Sequence, residues 1–217
     1  MNSPIEMEKK FQVLQSDLEG FLRNKRFISS KTVVDEYLDT SDGLFYQDGI
    51  FIRVRNNITL DFKFNPDHLG IADVNDYVVC HEYNVPLPFQ IETFHVFEAL
   101  EKMIPIKCPH PYTYEKFLEE NDLRTLLILN KNRTTYEDDT FVIAVDEFAD
   151  FGVFLELEAK NNNMSQERFL KEIAKVTEGM AVKEFNSGYI ELRLRQLNES
   201  LYLKGKYLIN PELEIAA

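Results

Sequence analysis

The chain is poor in cysteine, and it lacks the sequence features of secreted and membrane-spanning proteins. Cys80 and Cys108 are the only cysteines among its 217 residues. No apolar run is long enough to span a bilayer, and residues 1–11 are too polar and charged for a signal peptide. We therefore expect a cytoplasmic protein in which both thiols are reduced.

The chain also lacks the excess of positive charge that binds nucleic acids and anionic membranes. Its formal net charge is −13 and its pI is about 4.8. This balance argues against either of those partners, because both require a positive surface. It leaves room for a small anion held in a locally basic pocket. With 44% hydrophobic residues, the chain can bury a core as one domain.

Several common catalytic and metal-binding motifs are missing as well. The sequence contains no glycine-rich phosphate loop and no Ser-His-Asp order. Cys80 with His81 and Cys108 with His110 do not have the spacing of a usual zinc site. We interpret these four as buried or loop residues.

The chain is rich in short alternating segments, which predict β-strands. We predict strands over 5–11, 32–40, 49–57, 58–65, 77–87, 124–137, 140–148 and 152–159, and helices over 13–27, 91–104, 112–121 and 165–178. Short turns, such as Asn56-Asn57, join consecutive strands. This order favours an antiparallel α+β fold in which inserted helices cover the apolar face of the sheet.

Charged residues of one sign occur in pairs along the polar faces of these strands. The pairs are Glu6 and Glu8, Arg53 and Arg55, Lys131 and Arg133, and Glu156 and Glu158. Neighbouring like charges repel, by up to about 1 kcal/mol. A solvated sheet face is one explanation. A bound ligand is the other, since carboxylates bind hard divalent cations and basic groups bind phosphate oxygens. A metal-bound polyphosphate needs both.

The motif Glu6-x-Glu8-x-Lys10 and an ordered series of later segments resemble the CYTH superfamily, the triphosphate tunnel metalloenzymes. The later segments are YLDT (37–40), IFIRVR (50–55), LDFKF (60–64), HEY (81–83), NKNR (130–133) and AVDEFADFGVFLELE (144–158). The similarity extends over residues 5 to about 195. It implies an eight-stranded antiparallel closed β-barrel, a tunnel with a charged interior and flanking helices. We expect one such domain over residues 1–200 and a C-terminal tail over 201–217.

The resemblance also implies roles for individual residues. It implies that Mg²⁺ or Mn²⁺ is held by Glu6, Glu8, Glu156 and Glu158. It implies that the substrate is held by Lys10, Arg53, Arg55, Lys63, Lys131, Arg133 and, through a looser match, Lys183. Glu82 and Asp146 match catalytic acidic positions tied to the metal or to water. His81 and Asn84 depart from the family pattern, which has a basic residue and two acidic residues on this strand.

Three functions are consistent with this resemblance. The first is metal-dependent hydrolysis of a small triphosphate, such as tripolyphosphate, thiamine triphosphate or a nucleoside triphosphate. The second is a class IV adenylate cyclase, which would release pyrophosphate. The third, suggested by Asn84, is a module that binds polyphosphate or nucleotides without turnover. A monomer and a homodimer are both consistent with the sequence. Because like charges repel, we also expect removal of Arg53 or Arg55 to leave the empty protein as stable as before, or slightly more stable.

Overall fold

The computed structural model describes residues 5–65, 79–161, 164–185 and 187–209, with side chains from Met7 onward and from Cys80 onward after the first gap. The strands are β1 (Ile5–Val13), β2 (Arg26–Asp39), β3 (Ile50–Arg55), β4 (Thr59–Phe64), β5 (Val79–Pro86), β6 (Arg124–Glu137), β7 (Phe141–Phe148), β8 (Gly152–Ala159) and β9 (Val182–Phe185). The helices are α1 (Gln15–Leu22), α2 (Leu44–Gln47), α3 (Phe94–Leu100), α4 (Tyr114–Glu120), α5 (Gln166–Val176), α6 (Tyr189–Leu197) and α7 (Glu199–Tyr202).

In the described part of the chain, the strands form one antiparallel sheet with helices packed on it, as predicted for an α+β fold. The strand order is β5-β4-β3-β2-β6-β7-β8-β1-β9. The expectation of an eight-stranded closed barrel is therefore corrected: the sheet has nine strands in an open order. β5 also pairs with β1, but only through Ile5–Met7. β9 pairs with the following part of β1, Lys10–Val13, so β5 and the unpredicted ninth strand share the edge of β1.

Helices cover the apolar face of the sheet, and their contacts explain which residues form the core. Phe62 of β4 lies edge-on between Phe97 of α3 and Phe117 of α4, with ring centroids 5.8 Å apart in both pairs. Burying a phenylalanine so completely contributes roughly 1.5–3 kcal/mol. In the half of the sheet that contains β7, Phe169 of α5 packs against Phe141, with ring centroids 6.0 Å apart. No described helix has the combined length and apolar character needed to cross a lipid bilayer.

Several predicted boundaries differ from the structure. The helix predicted over 13–27 ends at Leu22, and β2 begins at Arg26 rather than at residue 32. β2 is longer because residues 26–31 pair with residues 133–137 of β6, where Ser30 and Thr134 share a 3.0 Å hydrogen bond between side chains. Ser165 caps the first turn of α5, since its Oγ accepts a hydrogen bond from the Arg168 amide. Residues 77–78 of the predicted strand and 210–217 of the predicted tail lie outside the described residues.

Candidate functional site

Most of the predicted site residues line one cavity of about 190 Å³ on the charged face of the sheet. Those that line it are Glu8, Lys10, Arg53, Arg55, Lys63, Glu82, Lys131, Arg133, Glu156 and Glu158. They come from six strands. The alternation of β3 shows why: Ile50, Ile52 and Val54 are buried in the core, so the intervening side chains of this strand face the opposite side.

Glu8 links two lysines at one side of the cavity. The Nζ atoms of Lys10 and Lys63 donate hydrogen bonds to the same oxygen, Glu8 Oε1, at 2.7 and 2.6 Å. Lys63 Nζ also lies 3.7 Å from Glu82 Oε2. Burial by itself would lower the pKa of Lys10, but the charges of Glu156 and Glu8 outweigh it and raise that pKa. Lys10 is therefore a permanent cation in this wall.

A second network holds Lys131 and Arg133 against Asp146. Lys131 Nζ donates to Asp146 Oδ2 at 2.9 Å, and Arg133 forms two 2.6 Å hydrogen bonds to the two Asp146 oxygens. Arg133 also donates to Glu156 Oε2 at 2.8 Å. Burial and the neighbouring Arg133 charge lower the pKa of Lys131 to about 8.

Asp146 stands behind the cavity wall rather than in it. Its exposed fraction is 0%, and it is absent from the residues that line the cavity. Burial raises the pKa of Asp146, but hydrogen bonds and charges from Arg133 and Lys131 outweigh this effect and hold the pKa below its usual value. Asp146 thus positions two basic side chains, and its assignment as a catalytic residue stays a prediction.

Two buried carboxylates that were not predicted as site residues position the arginines of β3. The Arg53 guanidinium donates to Asp61 at 3.1 and 2.7 Å. Arg55 donates to both oxygens of Asp35, at 2.8 and 3.1 Å. Burial raises the pKa of Asp35, but the Arg53 charge and the Arg55 hydrogen bonds lower it far more. The signal was present in the sequence, since the Asn56-Asn57 turn places Arg53 opposite Asp61.

The carboxylates on β1 and β8 are the residues that could hold a metal ion. Glu8 lies opposite Glu158, and Lys10 lies opposite Glu156, in the β1–β8 ladder. Burial and the charges of Glu156 and Glu8 raise the pKa of Glu158. Such crowded carboxylate oxygens fit a hard divalent cation, which would relieve the repulsion. In the residues that the structure describes, however, no three His, Cys, Asp or Glu side chains are grouped closely enough to form a metal site.

The two remaining predicted residues are Lys183 and Glu6. Lys183 is exposed on β9, and it does not line the cavity. Glu6 has its backbone in β1, paired with Cys80, but its side chain lies outside the described part of the chain. The assignment of Glu6 as a metal ligand stays a prediction.

The departures at His81 and Asn84 have local explanations. The His81 ring lies 5.6 Å from the Phe64 ring and 6.3 Å from the Tyr83 ring, so it belongs to an aromatic row. Asn84 lies opposite Asp61 in the β4–β5 ladder. With its amide nitrogen facing the carboxylates, Asn84 donates to Asp61 at 2.6 Å and to Glu82 at 3.3 Å. A carboxylate at position 84 would repel both.

Aromatic side chains complete the cavity wall, and sequence reasoning missed most of them. They are Tyr37, Phe51, Phe64, Tyr189 and Tyr207. Lys131 Nζ lies 4.7 Å from the centre of the Tyr189 ring, a favourable cation–π geometry. The parity of Tyr37 on β2 indicated its orientation, but no strand pattern pointed to Tyr189 or Tyr207.

Comparison with known proteins gives one family and several structural relatives. A family model for the CYTH domain matches residues 4–188. A search of curated protein sequences finds no match to the chain. Three solved structures share the fold at 14–16% identity. The PH1012 protein of Pyrococcus horikoshii matches with a TM-score of 0.56 at 16% identity, over 86% of this chain and 98% of its own.

The other two structures are described as adenylate cyclase candidates. The Vibrio parahaemolyticus protein matches with a TM-score of 0.57 at 14% identity, over 88% of this chain and 99% of its own. HpAC1 of Hippeastrum, described as having a dominant triphosphatase activity, matches with a TM-score of 0.53 at 16% identity, over 88% of this chain and 95% of its own. At these identities the likeness shows the fold alone.

Proposed function

Because the chain belongs to the CYTH domain family, we propose that it binds a small triphosphate in its charged cavity and hydrolyses it with the help of Mg²⁺ or Mn²⁺. The substrates in question are tripolyphosphate, thiamine triphosphate and nucleoside triphosphates. We also propose that residues 1–200 form one such domain and that the protein works in the cytoplasm, where Cys80 and Cys108 would stay reduced.

The convergence of basic side chains on one cavity is the observation that supports this function. The basic residues are Lys10, Arg53, Arg55, Lys63, Lys131 and Arg133. A polyanion with oxygens along its length can bond to several of them at once, and each charge-assisted hydrogen bond contributes roughly 1.5–3 kcal/mol. A neutral ligand would not compensate the positive charge of these side chains.

Buried carboxylates give these basic groups fixed positions before any ligand enters. Arg53 and Arg55 are oriented by Asp61 and Asp35, at hydrogen-bond distances of 2.7–3.1 Å. Asp146 does the same for Lys131 and Arg133. A guanidinium that is already oriented needs little rearrangement as charge develops on phosphate oxygens, which is the main requirement for catalysis of phosphoryl transfer.

The acidic residues also explain why a divalent cation is part of the proposal. Glu8, Glu156 and Glu158 would hold it, together with Glu6. A bound divalent cation supplies neutralisation of phosphate charge and activation of water. Glu82 lines the cavity within 3.8 Å of Arg53, where its carboxylate can orient a water molecule and accept its proton.

The proposal is tested by measuring phosphate release from tripolyphosphate in the presence of Mn²⁺. The wild-type protein should release phosphate, and Arg133→Ala should lose at least about tenfold in kcat/KM, since one charged hydrogen bond is worth more than 1.4 kcal/mol. Arg26→Ala is the matched control, because that arginine is exposed, pairs with Glu137 and lies outside the cavity wall, and it should retain wild-type activity.

The same assay separates the two alternative functions. Release of pyrophosphate and cyclic AMP from ATP, without phosphate release, would identify a cyclase. Tight binding of tripolyphosphate without turnover of any triphosphate would identify a binding module. Either result would contradict the proposed hydrolysis.

A further inference from the structure

The start of α6 forms part of the cavity wall. Ser187, Gly188, Tyr189 and Ile190 all line the cavity, and none of them was predicted as a site residue. The Lys131 ammonium lies 4.7 Å from the centre of the Tyr189 ring. This part of the wall is therefore next to the network of Lys131, Arg133 and Asp146.

Two hydroxyl groups in this part of the wall are buried and have no protein partner. Ser187 is 3% exposed and Tyr189 is 5% exposed. Among the residues that the structure describes, neither hydroxyl has a hydrogen-bond partner. Most buried hydroxyls in proteins are paired, because an unpaired one costs free energy of folding. Since both residues line the cavity, a ligand bound there can supply the missing partner.

These two groups offer neutral hydrogen-bond donors to such a ligand. Burial and the charges of Asp146 and Glu156 raise the pKa of Tyr189 well above its usual value, so its hydroxyl keeps a proton to donate. No side chain caps α6 at Gly188, and the start of a helix carries a partial positive charge. The ligand atoms that fit here are oxygens with negative charge.

The carboxyl group in the first turn of α6 does not oppose an anion at neutral pH. Glu191 is fully buried and lies outside the cavity wall. Burial raises its pKa to about 8, so it is mostly protonated at pH 7. The close approach of Glu191 to the cavity wall depends on Gly188, where a Cβ atom would lie 2.7 Å from Glu191 Oε2.

We propose that the hydroxyls of Ser187 and Tyr189 donate hydrogen bonds to phosphate oxygens of the substrate, and so form a neutral-donor subsite for one phosphate group beside Lys131 and Arg133. This inference rests on the proposed function. The basic residues of the cavity are paired with carboxylates, whereas these two hydroxyls are paired with nothing in the described part of the chain. The subsite adds hydrogen bonds to the anion without adding a positive charge that needs compensation.

The test measures affinity and stability in two variants that each remove one hydroxyl. Tripolyphosphate is titrated by calorimetry at pH 7 without added metal, so that hydrolysis does not interfere. Ser187→Ala and Tyr189→Phe should each raise the dissociation constant roughly tenfold, as expected for a hydrogen bond to a charged oxygen. Both empty variants should melt at the wild-type temperature or above it, because the hydroxyl that each loses is unpaired in the empty protein.

Two matched controls remove the same groups elsewhere in the chain. Ser200→Ala removes an exposed hydroxyl that lies 3.0 Å from Asn198 Oδ1. Tyr136→Phe removes a tyrosine hydroxyl from β6, outside the cavity wall. Both controls should keep the wild-type dissociation constant.

Three results separate this subsite from the proposed hydrolysis. Wild-type dissociation constants in both variants would overturn the subsite alone, and so would weaker binding that is accompanied by a lower melting temperature, since that points to a structural role. If wild type binds tripolyphosphate but releases no phosphate with Mn²⁺, hydrolysis is overturned, and the dissociation constants still decide the subsite. A wild-type protein that does not bind tripolyphosphate overturns both proposals.

Discussion

Arg53 and Asp61 face each other across the β3–β4 hairpin, and two guanidinium nitrogens of Arg53 donate to a single oxygen of Asp61, at 3.1 and 2.7 Å. Asp61 is 2% exposed. The arginine thus compensates a buried carboxylate, a relationship that the repulsion argument from sequence left out. We therefore expect removal of Arg53 to destabilise the empty protein, which is the reverse of the expectation from the sequence.

Arg53→Ala should destabilise the empty protein by about 3 kcal/mol, because removing one partner of a buried ion pair leaves the other charge uncompensated. Urea denaturation measures this change. Adding Asp61→Asn should restore much of the loss. Arg26→Ala is the matched control, since Arg26 pairs with Glu137 while its own side chain is 72% exposed, and it should change stability by under about 1 kcal/mol. Equal stability of Arg53→Ala and wild type would contradict the assigned role of the pair.

The free energy of unfolding should fall between pH 6 and pH 8 because of Glu191. This residue of α6 is fully buried, and burial raises its pKa from 4.5 to about 8. The folded state therefore keeps a proton that the unfolded state has released. The resulting stability is complete below pH 4.5 and is lost as the pH rises through 8, by about 1.4 kcal/mol per unit between these values.

Glu191→Gln isolates this effect, because glutamine cannot release a proton. Denaturation curves at pH 6 and pH 8 should differ by about 2 kcal/mol more in wild type than in the variant. Glu167→Gln, at an exposed position in the first turn of α5, should show the wild-type pH dependence. If Glu191→Gln keeps the wild-type dependence of unfolding free energy on pH, that dependence comes from another titrating group.

Divalent metal should stabilise the protein through the carboxylates of β1 and β8. Burial and repulsion from Glu156 and Glu8 raise the pKa of Glu158. Without metal, Glu158→Gln should therefore melt at the wild-type temperature or above it. With Mn²⁺ a hundredfold above its dissociation constant, wild type should gain about 2.7 kcal/mol, and the variant should lose most of that gain.

The matched control for this measurement is Glu184→Gln. Glu184 is an exposed carboxylate of β9 that pairs with Lys9 rather than with the cavity residues. This variant should keep the full Mn²⁺ response. An unchanged Mn²⁺ response in Glu158→Gln, or full phosphate release in excess chelator, would show that these residues do not hold a metal needed for activity.

The sequence predicted those parts of the fold and site that depend on alternation within a strand. Two-residue periodicity separates Ile52 from Arg53 and places Arg53 in the cavity, whatever the overall topology. The same alternation could not distinguish Lys131, which lines the cavity, from Asp146, which supports it from behind, because both side chains lie on the charged face.

Features that depend on distant contacts were not predictable in this way. β9 forms only because the edge of β1 beyond Met7 is available to Val182–Phe185, and nothing local marks that segment as a strand. Tyr207 reaches the cavity through packing with Gly49 and Phe51. Such contacts join residues far apart in sequence, so local propensity carries no information about them.

The affinity for tripolyphosphate should depend on the charge of Lys131 between pH 7 and pH 9. Burial and the Arg133 charge lower the pKa of Lys131 to about 8 in the empty protein, so its ammonium is mostly charged at pH 7 and mostly neutral at pH 9. A polyanion binds the charged form better. The contribution of Lys131 to binding should therefore fall by roughly tenfold over this range.

Lys131→Met resembles the neutral lysine in shape, and Arg133 still compensates Asp146 in this variant. The ratio of its dissociation constant to that of wild type should be roughly tenfold larger at pH 7 than at pH 9, and taking this ratio cancels the titration of the ligand itself. Lys10→Met is the matched control, since the pKa of Lys10 is raised rather than lowered, and its ratio should stay constant from pH 7 to pH 9. Calorimetric titrations with tripolyphosphate provide both ratios, and a constant ratio for Lys131→Met would show that Lys131 stays charged throughout.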